Sequence, residues 1–179
     1  MRKIVQVIAL VLFLSLPAMA QKAPTWDVYG GYSYMRADFG GVDQPLQGWD
    51  FAVGQNVNSW FGGVLDFTGH YAHPGGVNVN VHTFAAGPRF SYRKVKNVVP
   101  FAQVLLGGVR GSRGYLGATG LSQTKIDFGF SAGGGLDLKF NKHVAVRIIQ
   151  ADYLVTPFLG LRQDNLRASA GLVFYLGGK

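Results

Sequence analysis

Histidine is the side chain that exchanges protons most readily near neutral pH, so His70, His73, His82 and His143 are where chemistry would start. Asp66 shares a strand parity with His70, and a carboxylate that orients an imidazole is one part of a nucleophilic site. The nucleophile is missing: no Ser stands beside His70 at strand spacing, the chain has no Cys, and all nine of its acidic residues are Asp. His73 and His82 flank Pro74-Gly75-Gly76, but two imidazoles without a further ligand make a weak metal site. Pro and Gly explain that segment as a turn. These residues give no catalytic centre, no metal site and no cofactor site, so a non-enzyme is expected.

The elements that carry these residues alternate in polarity. In Ile126 to Phe140, IDFGFSAGGGLDLKF, the residues Ile126, Phe128, Phe130, Ala132, Leu136, Leu138 and Phe140 share one parity. Asp127, Ser131, Asp137 and Lys139 share the other, and a period of two marks a strand. Seven further segments behave alike: about Trp26 to Met35, Trp49 to Val57, Trp60 to Tyr71, Val77 to Tyr92, Val99 to Gly108, Val144 to Val155 and Asn165 to Leu176. The fourth is less regular. In the seventh, Gln150 and Asp152 fall on the apolar parity, and a β-bulge near Ile148 or Ile149 would restore the register.

Composition agrees with strands. The 26 Gly, 13 Phe and 8 Tyr, with no Glu, lean away from helix. Arg2 and Lys3 precede an apolar run from Ile4 to Leu16, then Pro17 and Ala18-Met19-Ala20. That is the pattern of a secretory signal peptide over residues 1–20, cut after Ala20. Residues 21–179 are then one domain; removing Arg2 and Lys3 lowers the formal charge from +8 by two, to +6. Without Cys there is neither a disulfide framework nor an acylated-Cys anchor.

Connections are expected to alternate in length. Arg36 to Gln47 and Val109 to Thr124 are long, Ala72 to Gly76 and Thr156 to Asp164 intermediate, and Asn58-Ser59, Arg93 to Asn97 and Asn141 to His143 short. Short turns on one rim and longer loops on the other, with an even number of strands, are the plan of an outer-membrane barrel. The fold class expected is therefore all-β, an eight-stranded antiparallel up-and-down transmembrane barrel. Its apolar parity faces lipid, and its closed ladder leaves no unpaired backbone edge in hydrocarbon.

The polar parity must then fill a lumen just wide enough for side chains. It carries Asp27, Asp50, Asp66, Asp127, Asp137 and, past the bulge, Asp152, against Arg89, Lys139, Arg147 and Arg167. Interleaved signs predict an internal salt-bridge network, since enclosed charges persist only when paired. Trp26, Trp49, Trp60, Tyr71 and Tyr92 lie near strand ends, where amphipathic rings favour the membrane interface.

In this pattern the chain resembles the small eight-stranded outer-membrane β-barrels of the OmpX and OmpA membrane-domain kind. The last strand is the most specific piece: Ser169, Gly171, Phe174 and Leu176 are similar to the C-terminal β-signal of such proteins, although Gly177-Gly178-Lys179 follows. The resemblance implies a bacterial outer-membrane location and the barrel assembly machinery as a partner during insertion. Some small barrels modify lipid A with His, Ser and Glu on the wall, a set that a chain without Glu cannot supply as such. Arg36, Arg110 and Arg113 in the longer loops suit the phosphates of lipopolysaccharide; Lys94, Lys96 and Lys142 in the short turns suit anionic inner-leaflet lipid. Nucleic acid is not expected, because the basic residues do not form one face. The function expected is structural or interactive, through loops that meet an unidentified extracellular ligand, with a narrow channel and a lipid A-modifying enzyme as alternatives.

Overall fold

The structure is a computed structural model that describes residues 24–38, 43–73, 77–115, 122–158 and 161–177. The proposed leader, residues 1–20, lies outside the described residues. Eight strands follow in chain order: β1 Trp26–Asp38, β2 Asp43–Asn56, β3 Phe61–Ala72, β4 Val77–Ser91, β5 Val98–Tyr115, β6 Ser122–Lys139, β7 Val144–Phe158 and β8 Leu161–Leu176. Each pairs antiparallel with its neighbours, and β1 closes on β8 from Trp26↔Leu176 to Arg36↔Leu166.

Two tight turns at the rim that holds the chain ends use the same device. Asn58 Oδ1 accepts from the Trp60 and Phe61 amides at 2.9 and 2.7 Å. Asn141 Oδ1 accepts from the His143 and Val144 amides at 2.7 and 2.8 Å. An Asn side chain that caps the next residues' amides fixes a reversal, here together with the Asn58 amide donating to the Phe61 carbonyl at 3.1 Å and the Asn141 amide to the Val144 carbonyl at 3.2 Å.

Apolar side chains of the strands point outward as the periodicity requires. Phe128 is 65% exposed, and Phe51, Leu65, Phe84, Phe130, Leu172 and Phe174 are exposed with it. The inner wall carries buried Asp, Arg, Gln, Ser and His side chains. A belt of rings and aliphatics around a polar interior inverts the arrangement of a water-soluble protein, and hydrocarbon is the solvent that favours it.

Ile148 is the bulged residue. On one side Leu136 pairs with Ile149 and Asp137 with Arg147; on the other, the register shifts between Arg147 and Gln150. Ile148 and Ile149 therefore both face out, at 46% and 53% exposure. Gln150 and Asp152 are returned to the interior, where both are buried.

The long loops expected from the sequence are mostly strand. β1 and β2 pair as far as Asp38↔Asp43, and β5 and β6 as far as Gly114↔Ser122. Likewise β7 and β8 pair up to Phe158↔Leu161. The strands run from 12 residues in β3 to 18 in β5 and β6, whereas a membrane needs roughly 9 to 11. The surplus stands beyond the belt at the rim away from the chain ends.

There the solvent changes, and so does the pattern. Along β4, Phe84, Ala86, Pro88 and Phe90 face out, but Val79 and Val81 face in while Asn78, Asn80 and His82 take the outward parity. No bulge interrupts the ladder here: Phe67↔Phe84, Thr68↔Thr83, Gly69↔His82 and His70↔Val81 are consecutive. The apolar phase reverses because the strand leaves hydrocarbon for water. Inside this extension Met35, Ala37, Leu46 and Val79 form a buried cluster, with Ala72 and Val81 packed against it. The irregularity of the fourth segment in the sequence is this crossing of a solvent boundary.

Candidate functional site

The lumen is filled by one connected set of polar side chains. Nearest the chain ends, Arg89 Nη1 donates to Asp27 Oδ1 at 2.7 Å and Asn56 Nδ2 donates to Asp27 Oδ2 at 3.0 Å. Arg89 Nε donates to Gln103 Oε1 at 3.2 Å, and Gln103 Nε2 passes the chain to Asp152 Oδ1 at 3.2 Å. On the facing wall Arg147 holds Asp137 with Nε and Nη2 at 2.7 and 3.2 Å, a bidentate pair. Its Nη1 donates to Gln150 Oε1 at 2.6 Å, and Gln150 Nε2 donates to Asp152 Oδ2 at 2.7 Å. Arg167 completes the set with Nη2 on Asp152 Oδ2 at 2.7 Å and Nη1 on Asp66 Oδ1 at 2.8 Å. Asp50 accepts from Ser169 Oγ at 2.9 Å.

Aromatic rings fill what the ions leave. The Arg147 guanidinium lies 4.3 Å from the Tyr29 ring centroid and 4.2 Å from that of Phe101, between two π faces. The Arg89 guanidinium lies 5.1 Å from the Phe101 ring centroid. Two inward glycines make the room: a Cβ on Gly54 would stand 2.6 Å from Asp27 Oδ1, and one on Gly135 would stand 2.7 Å from Phe101 Cζ.

One residue assigned to this network from the sequence, Lys139, stands outside it. Lys139 is half-buried at the mouth beside the chain ends, with its Nζ 5.6 Å from the Tyr175 ring. It is the last residue of β6 and lines the open mouth, not the ion network. Asp127 is half-buried near the opposite end, level with Val109. The sequence reading missed Gln103 and Gln150, the amides that join the ion pairs. Their inward parity was legible, but nothing in a neutral amide marks it as a connector between charges.

His70 has a serine partner that its own strand does not supply. Ser33 of β1 shares a hydrogen bond of 2.9 Å with His70 Nε2, and both residues are fully buried. Asp66, expected on the same face, belongs to Arg167 instead, and His70 Nδ1 meets no partner. A triad needs a carboxylate on that nitrogen, so this pair lacks the third group and any opening to solvent. No group of three or more His, Cys, Asp or Glu among the described residues is arranged for a metal ion.

On the outer wall the aromatics separate into two levels. Trp26, Trp60, Phe90 and Tyr92 gather at the rim of the chain ends, where Trp60 stacks on Phe90 at 5.9 Å. Trp49 and Tyr71 sit at the upper edge of the belt. There Trp49 Nε1 donates to Tyr71 Oη at 3.3 Å, and Tyr71 Oη meets His82 Nε2 at 3.1 Å. Gly69 lets the Trp49 indole lie flat on the strand, since a Cβ there would stand 2.6 Å from Nε1. Arg110, the cross-strand partner of His82, is exposed beside them. In β8, Ser169 and Gly171 take the inward parity while Phe174 and Leu176 face out at 46% and 52% exposure.

An ion-filled lumen, an apolar belt and a closed antiparallel ladder define the class: an integral eight-stranded β-barrel of the bacterial outer membrane. The chain belongs to the family described as "Outer membrane protein beta-barrel domain", whose profile matches residues 7–174. Comparison with curated protein sequences yields no match. Among solved structures it is similar to Neisserial surface protein A, with a TM-score of 0.69 at 13% identity over 88% of this chain and 100% of that one. Ail, the attachment invasion locus protein of Yersinia pestis, gives 0.57 at 16% identity over 83% and 97%. The N-terminal barrel domain of Pseudomonas aeruginosa OprF gives 0.57 at 13% identity over 86% and 98%. At these identities the likeness is one of fold.

Proposed function

We propose that this protein is a non-enzymatic scaffold of the outer membrane, closed along its axis, that presents its distal rim to the outside of the cell. The observation that carries this reading is the double seal of the lumen. The ion network fills the membrane level, and the Met35, Ala37, Leu46 and Val79 cluster fills the extension above it. A conducting path would have to breach both, which weighs against the narrow channel. The enzyme alternative is weakened by the enclosed Ser33 and His70 pair. In planar bilayers the purified barrel should give no stepwise conductance; reproducible single-channel openings would overturn the reading.

The distal rim faces outward on the general plan of short periplasmic turns and longer extracellular hairpins. Its polar wall, with Asn78, Asn80 and Ser112 on the outward parity beside exposed Arg110, suits contact with water and with a surface ligand. Neisserial surface protein A is a surface protein by its name and the Yersinia pestis protein an attachment invasion locus protein by its own, and an interactive role for this chain is in keeping with both. Arg110 stands just above the exposed rings of Phe84 and Phe128, a height that suits the phosphates of lipopolysaccharide. The C-terminal strand, with Phe174 and Leu176 on its lipid face, supports recognition by the barrel assembly machinery.

A further inference from the structure

The mouth at the rim of the chain ends carries cations that the lumen does not use. A recess of about 740 Å³ opens there, bounded by Lys96 and Asn97 of the β4–β5 connection, by Lys139, Lys142 and His143 at the β6–β7 turn, and by the Tyr175 ring. No Asp or Glu occurs from Phe90 to Ile126 or from Leu138 to Ala151, so both connections are purely basic. The carboxylates below are already taken, Asp27 by Arg89 and Asp137 by Arg147, each at 2.7 Å. Among the described residues Lys96, Lys139 and Lys142 form no ion pair. Arg93 in the same connection is committed to the Ser59 carbonyl at 3.0 Å and to Asn56 Oδ1 at 2.8 Å.

We infer that this mouth binds an acidic peptide segment from the periplasmic side. Charge complementarity points to a polyanion, since three lysines line one recess with no carboxylate among its lining residues. Direction of entry separates a soluble polyanion from a lipid: Lys139 and Tyr175 lie on the inward parity, so the recess opens along the barrel axis, while lipid headgroups surround the wall. Lining chemistry separates a peptide from a phosphate polymer. The Tyr175 and Phe140 rings and the Asn97 and Asn141 side chains stand among the cations and suit apolar side chains and amides together with carboxylates. The cations are lysines, which meet carboxylates as mobile point charges; the forked guanidinium that favours phosphate is absent from the recess.

The test uses the full barrel in phosphatidylcholine nanodiscs and a fluorescein-labelled pentapeptide, Asp-Phe-Asp-Phe-Asp, read by anisotropy and by amide shifts. Saturable binding is expected, with shifts at Lys96, Lys142 and His143, and with affinity falling about tenfold in the Lys96→Gln, Lys142→Gln double variant. Arg36→Gln at the other rim should leave affinity unchanged. Equal binding of the Asn-Phe-Asn-Phe-Asn analogue would overturn the inference, as would unchanged affinity in the double variant or shifts confined to the distal rim. If phosphatidylglycerol in the disc abolishes peptide binding, the occupant is a lipid headgroup and the inference fails. Orientation is checked separately: Lys142→Cys should react with an impermeant maleimide only after the outer membrane is permeabilised.

Discussion

Asp152 and Arg167 are cross-strand partners of β7 and β8 that meet inside the barrel only because Ile148, four residues earlier, is looped out of the ladder. If Ile148 instead took a regular place in the ladder, the outward run Val144, Val146 and Ile148 would carry Gln150 and Asp152 into lipid. The bulge is thus the local feature that lets β7 supply both Arg147 and Asp152 to one network. Deleting Ile148 should therefore be tolerated: Arg147 stays inward, Ile149 outward and Gln150 inward, with the bulge removed. Deleting Val146 instead would turn Arg147 to the lipid, unless a new bulge forms. Heat-modifiable migration on detergent gels should persist in the first variant and be lost in the second. The reverse result would mean that the bulge sets the shape of the barrel and not its facing.

Arg147 has three dependants, namely Asp137, Gln150 and the Tyr29–Phe101 ring pair. Arg147→Leu strands Asp137 as a buried carboxylate, and breaking a buried pair from one side costs about 3 to 5 kcal/mol. Removing both charges, as Arg147→Leu with Asp137→Leu, should recover a large part of that loss because no ion is left unpaired. Urea unfolding in lipid vesicles measures each variant. A single substitution that leaves the midpoint unchanged would mean that Asp137 finds another cation, with Lys139 the nearest along β6.

The Ser33 and His70 pair allows a sharper separation of structure from chemistry. Ser33→Ala leaves a fully buried imidazole without its one hydrogen-bond partner among the described residues, and an unsatisfied buried polar group costs about 1 to 3 kcal/mol. Stability should fall by that amount. Lipid A recovered from cells that express either form should be identical by mass spectrometry; a lipid A species that depends on Ser33 would identify the pair as a catalytic dyad after all.

Much of this was written in the sequence, and the exceptions share a cause. Period-two alternation located all eight strands, and two misplaced polar residues in the seventh were enough to place a bulge at Ile148 or Ile149, of which the ladder selects Ile148. The ends of β1, β2, β5 and β6 are not legible in the sequence, because a polar stretch of strand and a loop look alike there. Gln47, Arg110 and Ser112 are polar on the outward parity for another reason: the ladder continues into water. Partners across the barrel were equally hidden. Ser33 and His70 are far apart in the chain and on strands that do not pair with each other, so spacing along one strand carries no trace of their contact. Lys139 was misplaced because parity gives the direction of a side chain and not its depth.

The reversal of polarity in β4 gives a test of where the membrane ends. Phe84 and Asn80 share the outward parity four residues apart, and only Phe84 belongs to the belt. Spin labels at these two positions in lipid vesicles should behave oppositely, with the label at 84 relaxed by dissolved oxygen and the label at 80 by a water-soluble nickel chelate. Arginine substitution should follow the same division. Val104→Arg, on the lipid face within the belt, should cost about 2 to 4 kcal/mol, and Asn80→Arg about 0 to 1 kcal/mol. The contrast depends on the solvent and not on the strand, so in a detergent whose micelle covers the whole barrel the two labels should converge. If oxygen reaches residue 80 as readily as residue 84 in vesicles, the valines inside the extension cannot be the core of a water-exposed sheath, and the upper seal of the lumen would need another explanation.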